Sequence, residues 1–137
     1  MTSLSLAHSC FDKARKRLRA LRVLLEDEAY SDVVCEAQEL VEPALKGMLR
    51  FIGLEPPKWH DVGPLVLEHR ERLPASVAAA AERPAEISYR LRQEREFAFY
   101  GDDEFIPTDE YTRDEAQAAL DDACFVLSML DAFQGPD

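Results

Sequence analysis

The chain is poor in glycine, poor in histidine and without any long uncharged apolar run. Five glycines in 137 residues are too few for the turns of a many-stranded sheet, so helices are favoured. Every apolar run meets a charge well before the ~18 to 20 residues needed to span a bilayer, so a soluble protein with no membrane partner is expected. The three cysteines, Cys10, Cys35 and Cys124, stand in unrelated contexts with neither C-x-x-C nor ligand spacing. They read as reduced, mostly buried thiols. No two of His8, His60 and His69 share a spacing that would set both on one helical face, and no metal site is expected. Glycine-rich phosphate loops, H-E-x-x-H and G-x-S-x-G are all missing, and no cofactor is implied. At the start, MTSLSLAHSCFDKARKR places its basic cluster after the mildly apolar stretch. That reverses the order of a secretory signal, so a cytoplasmic location is expected.

What is present is apolar content and asymmetric charge. Apolar residues make up 47% of the chain, and the length suits one domain over residues 1–137. The net charge of −11 opposes broad adhesion to nucleic-acid backbone. Its distribution is uneven: residues 1–27 hold six cations (Lys13, Arg15, Lys16, Arg17, Arg19, Arg22) against three acids, while residues 100–137 hold eleven acids against Arg113 alone. The basic segment reads either as the solvated face of an amphipathic helix or as a surface that meets acids within the fold, across a dimer, or on a polyanion.

Periodicity predicts the helices. Phe11, Ala14, Leu18, Leu21 and Leu25 form one stripe, with Ser9 and Asp12 as its start. Val34, Ala37, Val41, Leu45, Met48 and Ile52 form a second over about Tyr30 to Ile52, stopped by Gly53; Pro43 removes one backbone hydrogen bond within it, so a bend near Glu39 is expected. After the rigid GLEPPKW connector, Asp61 is placed to cap a short helix over Val62 to His69. Val77, Ala80, Pro84, Ile87, Leu91 and Ala98 mark a fourth helix that Pro84 kinks or divides and Gly101 ends. GDDEFIPTDEY reads as a surface loop. Thr112 with Glu115 forms a capping box that opens a last helix along Ala116, Ala119, Leu120, Ala123, Val126, Leu127, Leu130 and Phe133. Four long helices and one short one can bury their stripes only against one another, which predicts an all-α antiparallel, up-and-down bundle.

The segment RLRQEREFAFYGDDEF crowds Arg92, Arg95, Phe97, Phe99 and Tyr100 at a helix end. Arginines beside aromatic rings grip phosphates and stack bases. The bland alternative puts Phe97 and Phe99 in the core and pairs Arg92 and Arg95 with Glu94, Glu96 or acids of the next loop. Glu42 with Lys46 reads as a pair on the surface of its own helix.

Nearly the whole chain resembles the HEPN domain, in particular its small stand-alone prokaryotic members. The resemblance runs through AYSDVVCEAQELVEPALKGMLRFIGLEPPKWHDVGPLV and then RLRQEREFAFYGDDEFIPTDEYTRDEAQAALDDACFVLSML, with the histidine-aspartate pair His60 and Asp61, then Arg95 to Gly101, then Pro107, Tyr111 and Ala116, in the family's order. It implies a helical bundle that binds nucleotides or RNA, forms a homodimer, and pairs with a minimal nucleotidyltransferase in a toxin-antitoxin-like system. Active members cut RNA without metal, using an arginine followed four to six residues later by a histidine.

This sequence departs from that motif: Tyr100 stands where the histidine after Arg95 belongs. An ordinary phenol, with a pKa of about 10, is ionised to only ~0.1% near neutrality and makes a poor general base. Losing a positioned base costs ~100- to 10,000-fold in rate, whereas binding through Arg95 and Tyr100 survives its loss. The sequence therefore reads as a nucleotide- or RNA-binding module with Arg92, Arg95 and Tyr100 on the phosphate, Arg95 and Tyr100 being also the catalytic candidates, and His60 and Asp61 as polar anchors of their loop. The competing readings are a metal-independent endoribonuclease toxin and a purely structural helical interaction module.

Overall fold

The structure, a computed structural model, describes residues 3–58, 61–102 and 104–133. His60, read above as a polar anchor, lies outside the described residues. Four long helices, α1 (Ser3–Glu26), α2 (Tyr30–Phe51), α5 (Glu82–Phe99) and α7 (Arg113–Met129), are joined by short helical turns, α3 (Gly63–Glu68), α4 (Ala75–Ala79) and α6 (Pro107–Glu110). No strand occurs among the described residues, only an isolated bridge between Asp102 and Phe105.

Residue pairings fix the directions. Gly47 of α2 lies against Phe11 of α1 while Arg17 meets Glu36, so α1 and α2 are antiparallel. Glu39 meets Arg95 and Glu42 meets Arg92, which turns α5 back along α2. Arg83 lies over the Phe125 ring and Arg90 meets Asp122, so α7 reverses again. Phe11 against Phe133 and Arg15 against Asp131 close α7 onto α1. The molecule is an all-α antiparallel bundle, as the stripes require.

α2 is its centre. Thirteen of its residues are buried, because its apolar set is too broad for a single neighbour and is shared among α1, α5 and α7. Pro43 lacks the N–H that would bond Glu39, yet α2 runs on through it. At Gly47 a Cβ would come within 2.6 Å of the Phe11 ring, so glycine permits the close approach of α1.

Four details differ from the sequence reading. α1 begins at Ser3, before the Ser9 start, because Ala7 extends the buried stripe one turn back. The fourth helix is divided at Ala80–Ala81, and Pro84 sits in the first turn of α5, where a missing N–H costs nothing. The segment 101–111 contains α6, with Pro107 at its first position. Asp61 precedes the short helix by one residue more than a cap: its Oδ1 accepts from the Gly63 amide at 3.0 Å and from Ser88 Oγ at 2.7 Å, tying the connector to α5.

The capping box of α7 is present as its sequence indicates. Thr112 accepts from the Glu115 amide at 3.2 Å, and Glu115 accepts from the Thr112 amide at 3.1 Å.

Candidate functional site

Arg92 and Arg95 are three residues apart on α5 and Glu39 and Glu42 three apart on α2. On antiparallel neighbours these equal spacings come into register. Arg95 Nη2 lies 2.6 Å from Glu39 Oε1, and Arg92 Nη1 lies 3.4 Å from Glu42 Oε1. Glu42 also takes Lys46 at 3.3 Å and the Gln38 amide at 3.2 Å. Lys46 reaches on to the Lys58 carbonyl at 3.4 Å, which pins the connector to α2.

These groups enclose a cavity of about 300 Å³ lined by Gln38, Glu42, Lys58, Arg92, Arg95, Glu96 and Tyr100. The three residues read from sequence as phosphate ligands therefore share one groove between α2 and α5, joined by Lys58. Two polar atoms of its lining residues are buried without a hydrogen-bond partner, Arg95 Nε and Gln38 Oε1. Buried polar atoms are nearly always satisfied, so these two, enclosed behind the lining, are unmet hydrogen-bonding capacity next to the groove.

The ion pairs seen for Arg92 and Arg95 among the described residues are with Glu42 and Glu39 of α2, not with the acids of the bland reading, and Phe97 and Phe99 are not core. Their exposures are 47% and 58%, Tyr100 reaches 71% and Ile106 54%. The buried line of α5 runs through Leu91 and Ala98, which leaves the two phenylalanines on either side of it. Phe99 packs edge-on against Tyr100 at 4.8 Å, and the Arg95 guanidinium lies 5.9 Å from the Phe99 ring.

The end of α5 is held by the loop beyond it. Gly101 has φ +66, and a Cβ there would meet the Phe105 carbonyl at 2.4 Å, so only glycine allows the reversal. Phe105 then packs between Phe97 and Tyr111. Tyr111 is buried, and its hydroxyl donates to Glu94 Oε2 at 2.7 Å. Burial, then the Glu94 bond and charge, hold the phenol above its ordinary range, so it remains a donor. Behind α5, Cys35 is pushed up to about 11, chiefly by burial and then by Asp32.

A second cavity of about 350 Å³ lies between α2, α5 and α7. Its carboxylates are already engaged: Glu94 by Tyr111, Asp122 by Arg90 and Glu115 in the capping box. The groove differs from it in being rich in cations.

Chemically, the groove can hold an anion. Its arginine pairs are partly solvent-exposed, and such pairs are worth ~0 to 1 kcal/mol, so a phosphate offering charge and a bidentate edge can displace the glutamates. No histidine is among the described lining residues. His8 packs on Phe11 and Phe51, and His69 stands beside Glu68.

Sequence reasoning missed the partners of the arginines. Glu39 and Glu42 match Arg92 and Arg95 in spacing, and that match was the available signal. Lys58, inside a proline-rich connector, offered none. In comparison with known proteins, the HEPN domain family model matches residues 7–132. No curated protein and no solved structure matches the chain.

Proposed function

The chain belongs to the HEPN domain family, whose members are generally nucleotide- or RNA-related, and from that premise we propose that the α2–α5 groove binds the phosphate of a nucleotide or of RNA. The observation that carries this reading is the convergence of Lys58, Arg92, Arg95 and Tyr100 on one cavity that also has the unpartnered Arg95 Nε among its lining residues. Arg95 and Arg92 hold the phosphate oxygens, Lys58 adds charge from the connector, and Tyr100 stacks or donates at the mouth.

In this reading the protein is a homodimer. Phe99 and Tyr100, packed edge-on at 4.8 Å and both exposed, leave an uncovered aromatic pair beside the groove that Tyr100 lines, and exposed apolar surface of this kind marks interaction sites. The protein works in the cytoplasm, beside a minimal nucleotidyltransferase in a toxin-antitoxin-like pair. The groove is a binding site rather than a cleaving one, since no histidine stands four to six residues after Arg95 to serve as the general base of active members.

Calorimetric titration of AMP and of a short single-stranded RNA into the purified protein tests this. Arg95→Ala is expected to weaken both at least tenfold; unchanged affinity for both removes the reading. Incubating RNA with the protein and a chelator separates binding from cleavage: intact RNA is expected, and defined products that disappear in Arg95→Ala would make the protein a metal-independent endoribonuclease.

A further inference from the structure

The middle of α1 carries Lys13, Arg15, Lys16, Arg17, Arg19 and Arg22, all exposed, in a chain of net charge −11. Solvated helix faces normally alternate sign, so that charges three or four apart attract. Here 13/16, 13/17, 15/19, 16/19 and 19/22 are all like-charged neighbours, and each such pair destabilises the helix. Lys16 with Asp12, at 2.9 Å, is the one ion pair within α1 among the described residues. None of the cations lies in the last turn of α1, where it would serve the helix dipole.

The fold neutralises only the edges of this face. Arg17 meets Glu36 of α2 at 3.1 Å, and Arg15 meets Asp131 at 3.5 Å. Lys13, Arg19 and Arg22 are not within ion-pair distance of a carboxylate among the described residues. We propose that the outer face of α1 is a second binding surface for the phosphate backbone of an RNA strand, separate from the groove and continuous with it across α2.

Three observations select this occupant. Four of the six cations are arginines, whose planar forks match phosphate oxygens. The later part of α7 and the turn after it offer a second copy little free acid, since Asp121 is held by Gln117, Asp122 by Arg90 and Asp131 by Arg15; the acidic segment from Glu104 to Asp114 is the competing occupant, and the oligomer outcome of the test below detects it. A membrane surface needs an apolar face beside the cations, and the apolar stripe of α1 is buried, leaving Val23 as its exposed large hydrophobic residue.

Continuity comes from α2. Glu36, which holds Arg17, and Glu39, which holds Arg95, lie one turn apart on the same helix. The two cationic sites thus flank one edge of α2, whose carboxylates Glu36 and Glu39 are neutralised by Arg17 and Arg95. A mononucleotide reaches only the groove, while a strand with one phosphate there passes over α2 onto α1. The choice of RNA rests on the reading of the groove; the cationic face does not.

The test uses two probes, AMP and a fluorescein-labelled single-stranded RNA of about 20 nucleotides, with the strand's affinity followed by anisotropy at rising KCl. The triple variant Lys13→Gln, Arg19→Gln, Arg22→Gln changes only exposed side chains, and its helix content by circular dichroism should match wild type. It is expected to bind the RNA at least tenfold more weakly and to lower the slope of log affinity against log salt by about 2, at ~0.7 for each phosphate no longer neutralised, with AMP affinity unchanged. Equal RNA affinity and slope in both proteins overturns the proposal. So does a wild-type oligomer that the triple variant dissociates without any change in RNA binding, which would assign the face to another copy. If Arg95→Ala leaves AMP binding intact while the triple variant no longer binds RNA, the groove reading fails and the α1 surface stands.

Discussion

Glu39 holds Arg95 across the α2–α5 seam at 2.6 Å, so the guanidinium that faces the groove is already occupied by a carboxylate of the same chain. An incoming phosphate must displace Glu39, and the pair acts as an internal competitor. Glu39→Gln keeps the side-chain shape and removes the charge. AMP affinity is expected to rise about two- to fivefold, corresponding to a weak, partly exposed pair of up to ~1 kcal/mol. Calorimetry on the two proteins measures it, and a loss of affinity in Glu39→Gln would mean that the glutamate orients Arg95 instead of masking it.

Asp61 is expected to matter for stability and not for the ligand. Its carboxylate accepts from the Gly63 amide and the Ser88 hydroxyl. Asp61→Ala removes both bonds and should cost about 1 to 2 kcal/mol. Urea unfolding reads the loss, and AMP affinity under folding conditions should be unchanged.

Stability should decline in alkali through Cys35. Its folded pKa of about 11 lies above the ordinary 9.0, so the unfolded chain releases this proton first. The contribution is fully present below about pH 9 and is lost as pH rises through the folded value. Tyr111, also raised, adds a loss in the same direction from pH ~10 upward. Urea midpoints measured under reductant between pH 8 and 10.5 should fall for wild type and fall less for Cys35→Ala; parallel curves would remove the thiol from the account.

The aromatic pair gives a prediction about assembly. Phe99 is 58% exposed and packs on Tyr100, so Phe99→Asp should leave the bundle intact and abolish a dimer that buries it. Sedimentation equilibrium distinguishes the cases: a wild-type dimer and a mutant monomer are expected, and a wild-type monomer at high concentration contradicts the assignment.

The features legible in the sequence are those written locally. The stripe Phe11, Ala14, Leu21 and Leu25 is buried as its spacing demands. The pairing of Thr112 with Glu115 spans three residues, so a single stretch of chain specifies it. The division of the fourth helix is local too: Pro84 clashes with the carbonyl four residues back, at Ala80, where α4 has ended. What resisted was long-range. The arginine partners depended on the register between α2 and α5, which no single segment encodes. Arg95 and Tyr100 were found because the family motif marks them, whereas Lys58 entered the groove only through the path of the connector.

The most direct test of the central claim follows the guanidinium itself. In the structure Arg95 Nε is buried and without an acceptor, so its Nε–H resonance, assigned by its absence in Arg95→Lys, reports on any phosphate that enters. Titration with AMP is expected to move that resonance saturably, in step with the calorimetric affinity. A resonance that stays fixed while AMP binds elsewhere on the protein would contradict the account.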